Sequence, residues 1–312
     1  MIRKIQYRIE EKHSGKSIGE FLQEKEYSRT IITELKKTPI GIQKNGKWAM
    51  VNELLKAGDY LEITLSEEVT SENIVPNARK IDILYEDEDL LVVNKDYNMP
   101  IHPSVNHYEH TLANSVIDYF NKQGKNHVFR CINRLDRDTT GTTIIAKNML
   151  SASILAKRME KRQLSRTYIA FVEGITPEEG CIDFPIGRVE GSIIERKVDL
   201  KNGKPAITHY KRLQTLEVDK KQISIVELHL ETGRTHQIRV HMSYMGYPLL
   251  GDFLYNPENH MLSRQGLHAS KMVFEHPITN QKLCIEAPLP KDMAHLLKRT
   301  KQISEKIFKL ND

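Results

Sequence analysis

The stretch at residues 132–147, INRLDRDTTGTTIIAK, constrains this chain more than any other. Two apolar runs flank a centre that packs Arg134, Asp136, Arg137 and Asp138 into five residues, followed by Thr139, Thr140 and Gly141. A solvated turn between core strands needs only a glycine and one or two polar residues. Four charges against two core segments therefore mark a site. Alternate residues of an extended chain share a face, so Arg134 and Asp136 point to one side, and Leu135 anchors the loop in the core. Gly141 lets the chain turn sharply into the next strand. The loop thus presents a carboxylate in a cleft beside an arginine.

A second cluster, ETGRTHQIRVH at residues 231–241, follows an apolar strand at 226–230. Thr235 is expected to cap a helix there, placing Arg239 one turn in. This cluster is cationic where the first is mixed. A buried arginine opposite Asp136 would keep that carboxylate ionised and oriented.

Composition narrows the classes. A chain of 312 residues can hold one large domain and a smaller one. The net charge of +5 is compatible with a nucleic-acid partner without proving one. The three cysteines form no C-x-x-C pair, which argues against a zinc ribbon or a disulfide framework and for a reducing cytoplasm. The polar start and the lack of a long apolar run predict a cytoplasmic protein with no membrane partner. No P-loop, G-x-G-x-x-G or metal-ligand pattern is present, so no cofactor is expected. His236 and His241 lack a third ligand, so no metal is expected either. Without a heptad or an apolar interface stripe, the expected state is a monomer.

Hydrophobic periodicity divides the chain into three parts. Residues 1–66 contain a helix at 16–24 and a second at 29–37, for which Ser28 is a plausible N-cap. An Asn45-Gly46 hairpin and a strand at 60–63 follow. Residues 67–80 are polar, carry Pro76 and read as a linker. Residues 81–312 carry longer strands at 81–85, 90–94, 128–133, 142–147, 167–173, 206–211, 223–230 and 271–274, with helices at 111–123, 149–162 and 292–310. Strands outnumber helices and do not alternate strictly with them. The larger domain is therefore expected to be α+β, with a mostly antiparallel mixed sheet.

Two resemblances follow from these motifs. SRTIITELKK, the Asn-Gly hairpin and GDYLEI together resemble the alpha-L-motif RNA-binding domain of a ribosomal small-subunit protein. That implies a small N-terminal α/β RNA-binding domain, with Arg29, Lys36, Lys37, Lys44 and Lys47 as its phosphate contacts. RLDRDTTG, TYIAFVEG, TGRTHQIRVH, GYPLLGD and LHASKMVFEHP, in this order, resemble the RluA-type pseudouridine synthases over about residues 81–290.

The second resemblance implies an enzyme that isomerises uridine in RNA, with large-subunit rRNA as the first expectation and tRNA as the alternative. Asp136 aligns with the family's catalytic aspartate, which either attacks the ribose or deprotonates it; the glycal route by proton abstraction is favoured for the family. Tyr168 aligns with the active-site tyrosine and Arg239 with the arginine that pairs with the aspartate. Arg134 aligns with the side chain that fills the gap left by the extruded nucleotide. Arg137, Thr140, Arg234, His236 and Leu267 are further candidates for substrate contact. Where the family pattern has histidine, serine, lysine and arginine, this chain has Asn133, Thr140, Arg166 and Gly266. The last of these puts one substrate contact in question. Two other readings are a non-catalytic RNA binder of the same fold, and a glycoside hydrolase using Asp138 or Asp252 as a second carboxylate.

Overall fold

The computed structural model describes residues 2–67, 74–104, 108–125 and 127–298. The chain opens with β1 (Ile2–Arg8), α1 (Ile18–Glu24) and α2 (Arg29–Leu35), then β2 (Ile42–Lys44), β3 (Lys47–Trp48) and β4 (Tyr60–Ser66). Ser17 closes a capping box with Glu20 ahead of α1, and Ser28 caps α2 as the sequence suggests. The sheet is four-stranded in the order β1-β4-β2-β3, larger than the hairpin expected. Strand β1 escapes sequence reading because Arg3, Lys4, Gln6 and Arg8 surround its one fully buried side chain, Ile5. Both helices bury Ile18, Phe21, Leu22, Ile31, Ile32 and Leu35 against the sheet.

This layer is fastened to the rest of the chain. Leu150 and Ile154 pack into its core. Arg3 donates to both oxygens of Asp89 at 2.9 Å, and Arg158 pairs with Glu26 at 2.6 Å. The described parts of the linker are held too. Glu67 accepts from the Met149 N–H at 2.7 Å, and Asn114 donates to the Val75 carbonyl at 2.7 Å. Residues 68–73 of that linker lie outside the described residues.

The second sheet follows: β5 (Asp82–Glu86), β6 (Leu90–Lys95), β7 (Thr140–Ala146), β8 (Ser165–Glu173), β9 (Glu179–Asp183), β10 (Ile186–Arg188), β11 (Arg196–Val198), β12 (Ile207–Val218), β13 (Lys221–Leu230), β14 (Leu267–Glu275) and β15 (Lys282–Glu286). Strands β10 and β11 form a separate hairpin. The others form a nine-stranded sheet in the order β5-β6-β7-β14-β8-β13-β12-β9, with β15 on β14. The helices are α3 (Leu112–Lys122), α4 (Met149–Glu160), α5 (Gln237–Tyr244) and α6 (Lys291–Lys298). The α+β, mostly antiparallel expectation is met: among the described residues only β7 and β14 run parallel, pairing Thr140 with His268 and Gly141 with Ala269.

That parallel junction explains Gly141. Its φ is +116°, and a Cβ there would lie 2.2 Å from the Ala269 carbonyl oxygen. Only glycine allows β14 to approach so closely behind the charged loop.

Two expectations need correction. Residues 128–133 do not form a strand; Cys131 makes one isolated bridge to Ile145. The Asn133 side chain takes over the ladder, donating to the Thr142 carbonyl at 2.9 Å and accepting from the Ile144 N–H at 2.8 Å. Thr235 does not cap α5; that position is held by His236 in the left-handed region. The Gln237 amide holds the turn instead, accepting from the Arg234 N–H and donating to the Ile207 carbonyl. The last expected helix, 292–310, is described as helical over Lys291–Lys298, and its residues 299–310 lie outside the described residues.

The junction also makes stability pH-dependent. His268 is fully buried between the Thr140 hydroxyl, at 2.8 Å, and the Ala287 carbonyl, at 3.2 Å. Burial pushes its pKa down to about 4. The unfolded chain therefore binds a proton that the native state refuses as pH falls from the unfolded value near 6.5 to about 4. Full stability is present above that window, and about 3 kcal/mol is lost across it. Urea unfolding between pH 7 and 4 should show this slope, and His268→Gln should flatten it.

Candidate active site

The charged loop lies at the centre of the large sheet, just before β7. Its main chain is pinned from below by two buried cations. Lys95, 1% exposed, donates to the carbonyls of Asp96, Met99 and Arg137 at 2.8–3.0 Å. Burial pushes the Lys95 ammonium down to about 7, while Asp138 and Asp136 act in the opposite direction. Three carbonyl acceptors use all three N–H bonds of the charged form. Arg264, 3% exposed, donates to the carbonyls of Asp138, Gln265 and Leu267 and pairs with Asp292. Loop carbonyls that no ladder satisfies are thus taken up by cations, which fixes the loop's shape.

Above the loop opens a cavity of about 660 Å³, within the range of small-molecule and cofactor sites. It is lined by Arg134, Asp136, Tyr168, Arg234, His236, Arg239 and Leu267, among others. Leu135 packs into the core beneath. Asp136, whose side chain is 27% exposed, faces Arg239, which is 3% exposed, across 3.3 Å from Oδ2 to Nη1. Arg239 reaches it from the first turn of α5, as the sequence leads one to expect. Tyr168 on β8 is buried, and burial, with a smaller contribution from Asp136, raises its phenol pKa. The ring is a neutral, largely apolar wall.

Two sequence candidates stand elsewhere. Arg137 is exposed, pairs with Asp138 at 2.8 Å and lies over the Phe253 ring, off the cavity lining. Thr140 is buried against His268 and lines a second cavity. Arg166, which replaces the family lysine, lines the first cavity, and Arg162 joins it from the end of α4. Gly266, where the family pattern carries arginine, is packed against Leu262 and Phe171. The guanidinium near that point belongs to Arg264, two residues earlier. His241 has both ring nitrogens engaged, by the Thr208 hydroxyl and the Phe184 carbonyl.

Sequence reasoning missed Asp252 as a partner. It is fully buried and accepts from Arg239 Nε and Nη2 at 2.7 Å each. The GYPLLGD motif held the signal, but only folding shows what the aspartate touches. A carboxylate tied up this way has no free lone pair aimed at a water. Asp138 is likewise buried beside Arg137. The hydrolase reading therefore loses both of its second carboxylates.

The cavity thus sets one carboxylate, Asp136, against a buried guanidinium and an aromatic wall, with Glu160 and Glu231 elsewhere in its lining, and comparison with known proteins places this fold in the class of RNA-modifying isomerases. The sequence pattern of the RNA pseudouridylate synthase family matches residues 89–244. The uncharacterized RNA pseudouridine synthase YjbO of Bacillus subtilis (strain 168) is 40% identical over 283 residues, 90% of this chain and 98% of that one. The ribosomal large subunit pseudouridine synthase D of Neisseria meningitidis serogroup A is 32% identical over 265 residues, 81% of this chain and 70% of that enzyme. Human RNA pseudouridylate synthase domain containing 1 superposes with a TM-score of 0.61 at 25% identity, covering 75% of this chain and 96% of that structure. The chain belongs to the RluA-type family and is an RNA pseudouridine synthase. No helix among the described residues is long and apolar enough to cross a membrane.

Proposed function

We propose that this enzyme isomerises uridines of large-subunit ribosomal RNA in the cytoplasm, with Asp136 as its catalytic carboxylate and residues 1–66 as an RNA-holding module. One observation carries the site assignment: Asp136 is the cavity carboxylate held by a buried arginine beside a buried tyrosine. Breaking the bond between uracil and ribose builds positive charge on the sugar. A fixed carboxylate can stabilise that charge or take the C2′ proton, leaving a glycal. The uracil then turns and C5 bonds to the sugar carbon. The C5 proton is lost, the freed N1 takes up a proton, the C2′ proton is restored, and the product is an isomer of the substrate. No redox partner or energy source enters this balance. Arg134, exposed at the cavity mouth, is suited to fill the stack that the everted base leaves.

The rRNA target is supported by the large-subunit synthases among the relatives. Total rRNA and tRNA from a strain lacking the gene, incubated with the purified protein and mapped for carbon-linked uridine, tests it. New sites confined to tRNA would overturn the rRNA assignment.

The N-terminal module supplies a second prediction. Arg29, Lys36 and Lys47 are exposed, whereas Lys37 pairs with Glu34 at 2.7 Å and Lys44 with Glu53 at 3.0 Å. Free cations release counterions on binding phosphate; paired ones must first give up a carboxylate. Replacing Arg29, Lys36 and Lys47 by glutamine should weaken RNA binding and reduce the salt slope by about three. The rate at saturating RNA should not change. Filter binding across a salt series, alongside single-turnover kinetics, checks both.

A further inference from the structure

We propose that His236 is a positioning residue for the catalytic carboxylate, its imidazole locked as the Nε2–H tautomer by Tyr255 and by the β10–β11 hairpin behind it. This rests on the reading of Asp136 as the catalytic group. His236 has φ of +57°, a left-handed conformation uncommon for residues other than glycine. That backbone turns the ring into the cavity, where Nε2 lies 4.0 Å from Asp136 Oδ2.

The other ring nitrogen decides the tautomer. His236 Nδ1 lies 3.0 Å from the Tyr255 hydroxyl. The same hydroxyl oxygen accepts from the Arg196 backbone N–H at 2.9 Å. With one lone pair taken by that N–H, the hydroxyl still holds a proton to offer, and the proposal assigns it to His236 Nδ1, which faces it. Burial pushes the phenol up to about 12, so it keeps that proton. Burial likewise lowers the His236 pKa, so the ring is neutral and carries one proton, on Nε2. The relay is firm at its outer end: Ile186, Val198, Val240 and Tyr255 share one small apolar cluster, which fixes the hairpin to α5.

The consequence concerns which carboxylate oxygen reacts. Arg239 Nη1 and His236 Nε2 both address Oδ2, at 3.3 and 4.0 Å. Oδ1 is therefore the oxygen left to face the ribose. The 4.0 Å separation exceeds a hydrogen bond, and the proposal requires it to shorten when substrate fills the cavity, a common change between free and occupied sites.

The test uses the full-length protein and bulk rRNA labelled with [5-³H]uridine, taken from a strain lacking the gene. Nitrogen-resolved imidazole NMR should show His236 as the Nε2–H tautomer, and Tyr255→Phe should shift it toward a mixture. Single-turnover tritium release at saturating RNA should slow roughly ten- to a hundredfold in His236→Ala and Tyr255→Phe, with half-saturation by RNA unchanged. His236→Gln, whose amide can donate from near the Nε2 position, should recover most of the rate. An Nδ1–H tautomer in the wild type, full activity in His236→Ala, or a Gln variant no faster than the Ala variant overturns the proposal. Asp136→Asn is the separating control. If it is active, the site reading itself is wrong; if it is dead while the His236 and Tyr255 variants run normally, only this inference fails.

Discussion

Asp136→Asn should abolish carbon-linked uridine formation, lowering the single-turnover rate by at least about a thousandfold. The substitution is isosteric at a part-exposed side chain, so folding should be preserved. Arg239 keeps its bidentate partner Asp252, so no buried cation is left alone. Only the negative charge of the cavity carboxylate is gone. Binding of unmodified RNA should stay within about threefold of wild type, because phosphate contacts supply most of the affinity. Tritium release and filter binding on the same preparation separate the two effects. A variant that modifies RNA at the wild-type rate would remove Asp136 from the chemistry.

Asp252→Ala should be the most destabilising single change at the site. It leaves the buried Arg239 guanidinium without the carboxylate that takes two of its N–H bonds. Breaking a buried pair from one side costs about 3–5 kcal/mol when the remaining charge is left uncompensated, and Asp136, part-exposed at 3.3 Å from Nη1, offsets only part of that. Relieved of Asp252, Arg239 would also swing toward Asp136 and disturb the carboxylate it orients, so the rate should fall together with stability. The double variant Asp252→Ala/Arg239→Met removes the stranded charge and should recover much of the stability but none of the activity. Chemical denaturation of the single and double variants reads the first effect, and tritium release the second. A single variant as stable as wild type would mean that the pair contributes little to holding α5 against the charged loop.

Much of this was legible along the chain. Arg134, Asp136 and the anchoring Leu135 follow from alternation within one short loop, where neighbours in sequence are neighbours in space. Gly141 follows from the need to turn, and Ser28 from helix capping. The ordered motifs gave the family, since several short patterns in fixed order match by chance far less often than one. What sequence reading missed has a common cause. Lys95, Arg264 and Asp252 act through contacts with residues 42, 126 and 13 positions away respectively. A lysine at the end of a strand looks like a surface residue until a loop carbonyl is found on its amine. Residues 128–133 looked like a strand because apolar alternation cannot reveal that backbone pairing with β7 stops after Arg130 and Ile132 and passes to the Asn133 amide.

By itself the sequence determined that this chain is an RNA pseudouridine synthase with an α+β domain, and which carboxylate and arginine to examine. Local pattern gives the fold class, and the resemblance carried by the ordered motifs gives the family, because both are written in consecutive residues. Only the tertiary structure decided that Arg239 is shared between Asp136 and Asp252, that Arg137 and Thr140 stand off the cavity, and that His236 faces the carboxylate from a left-handed turn. Those are relations between side chains carried by different strands and helices. Burial and hydrogen bonding set them only once the sheet has closed around the loop.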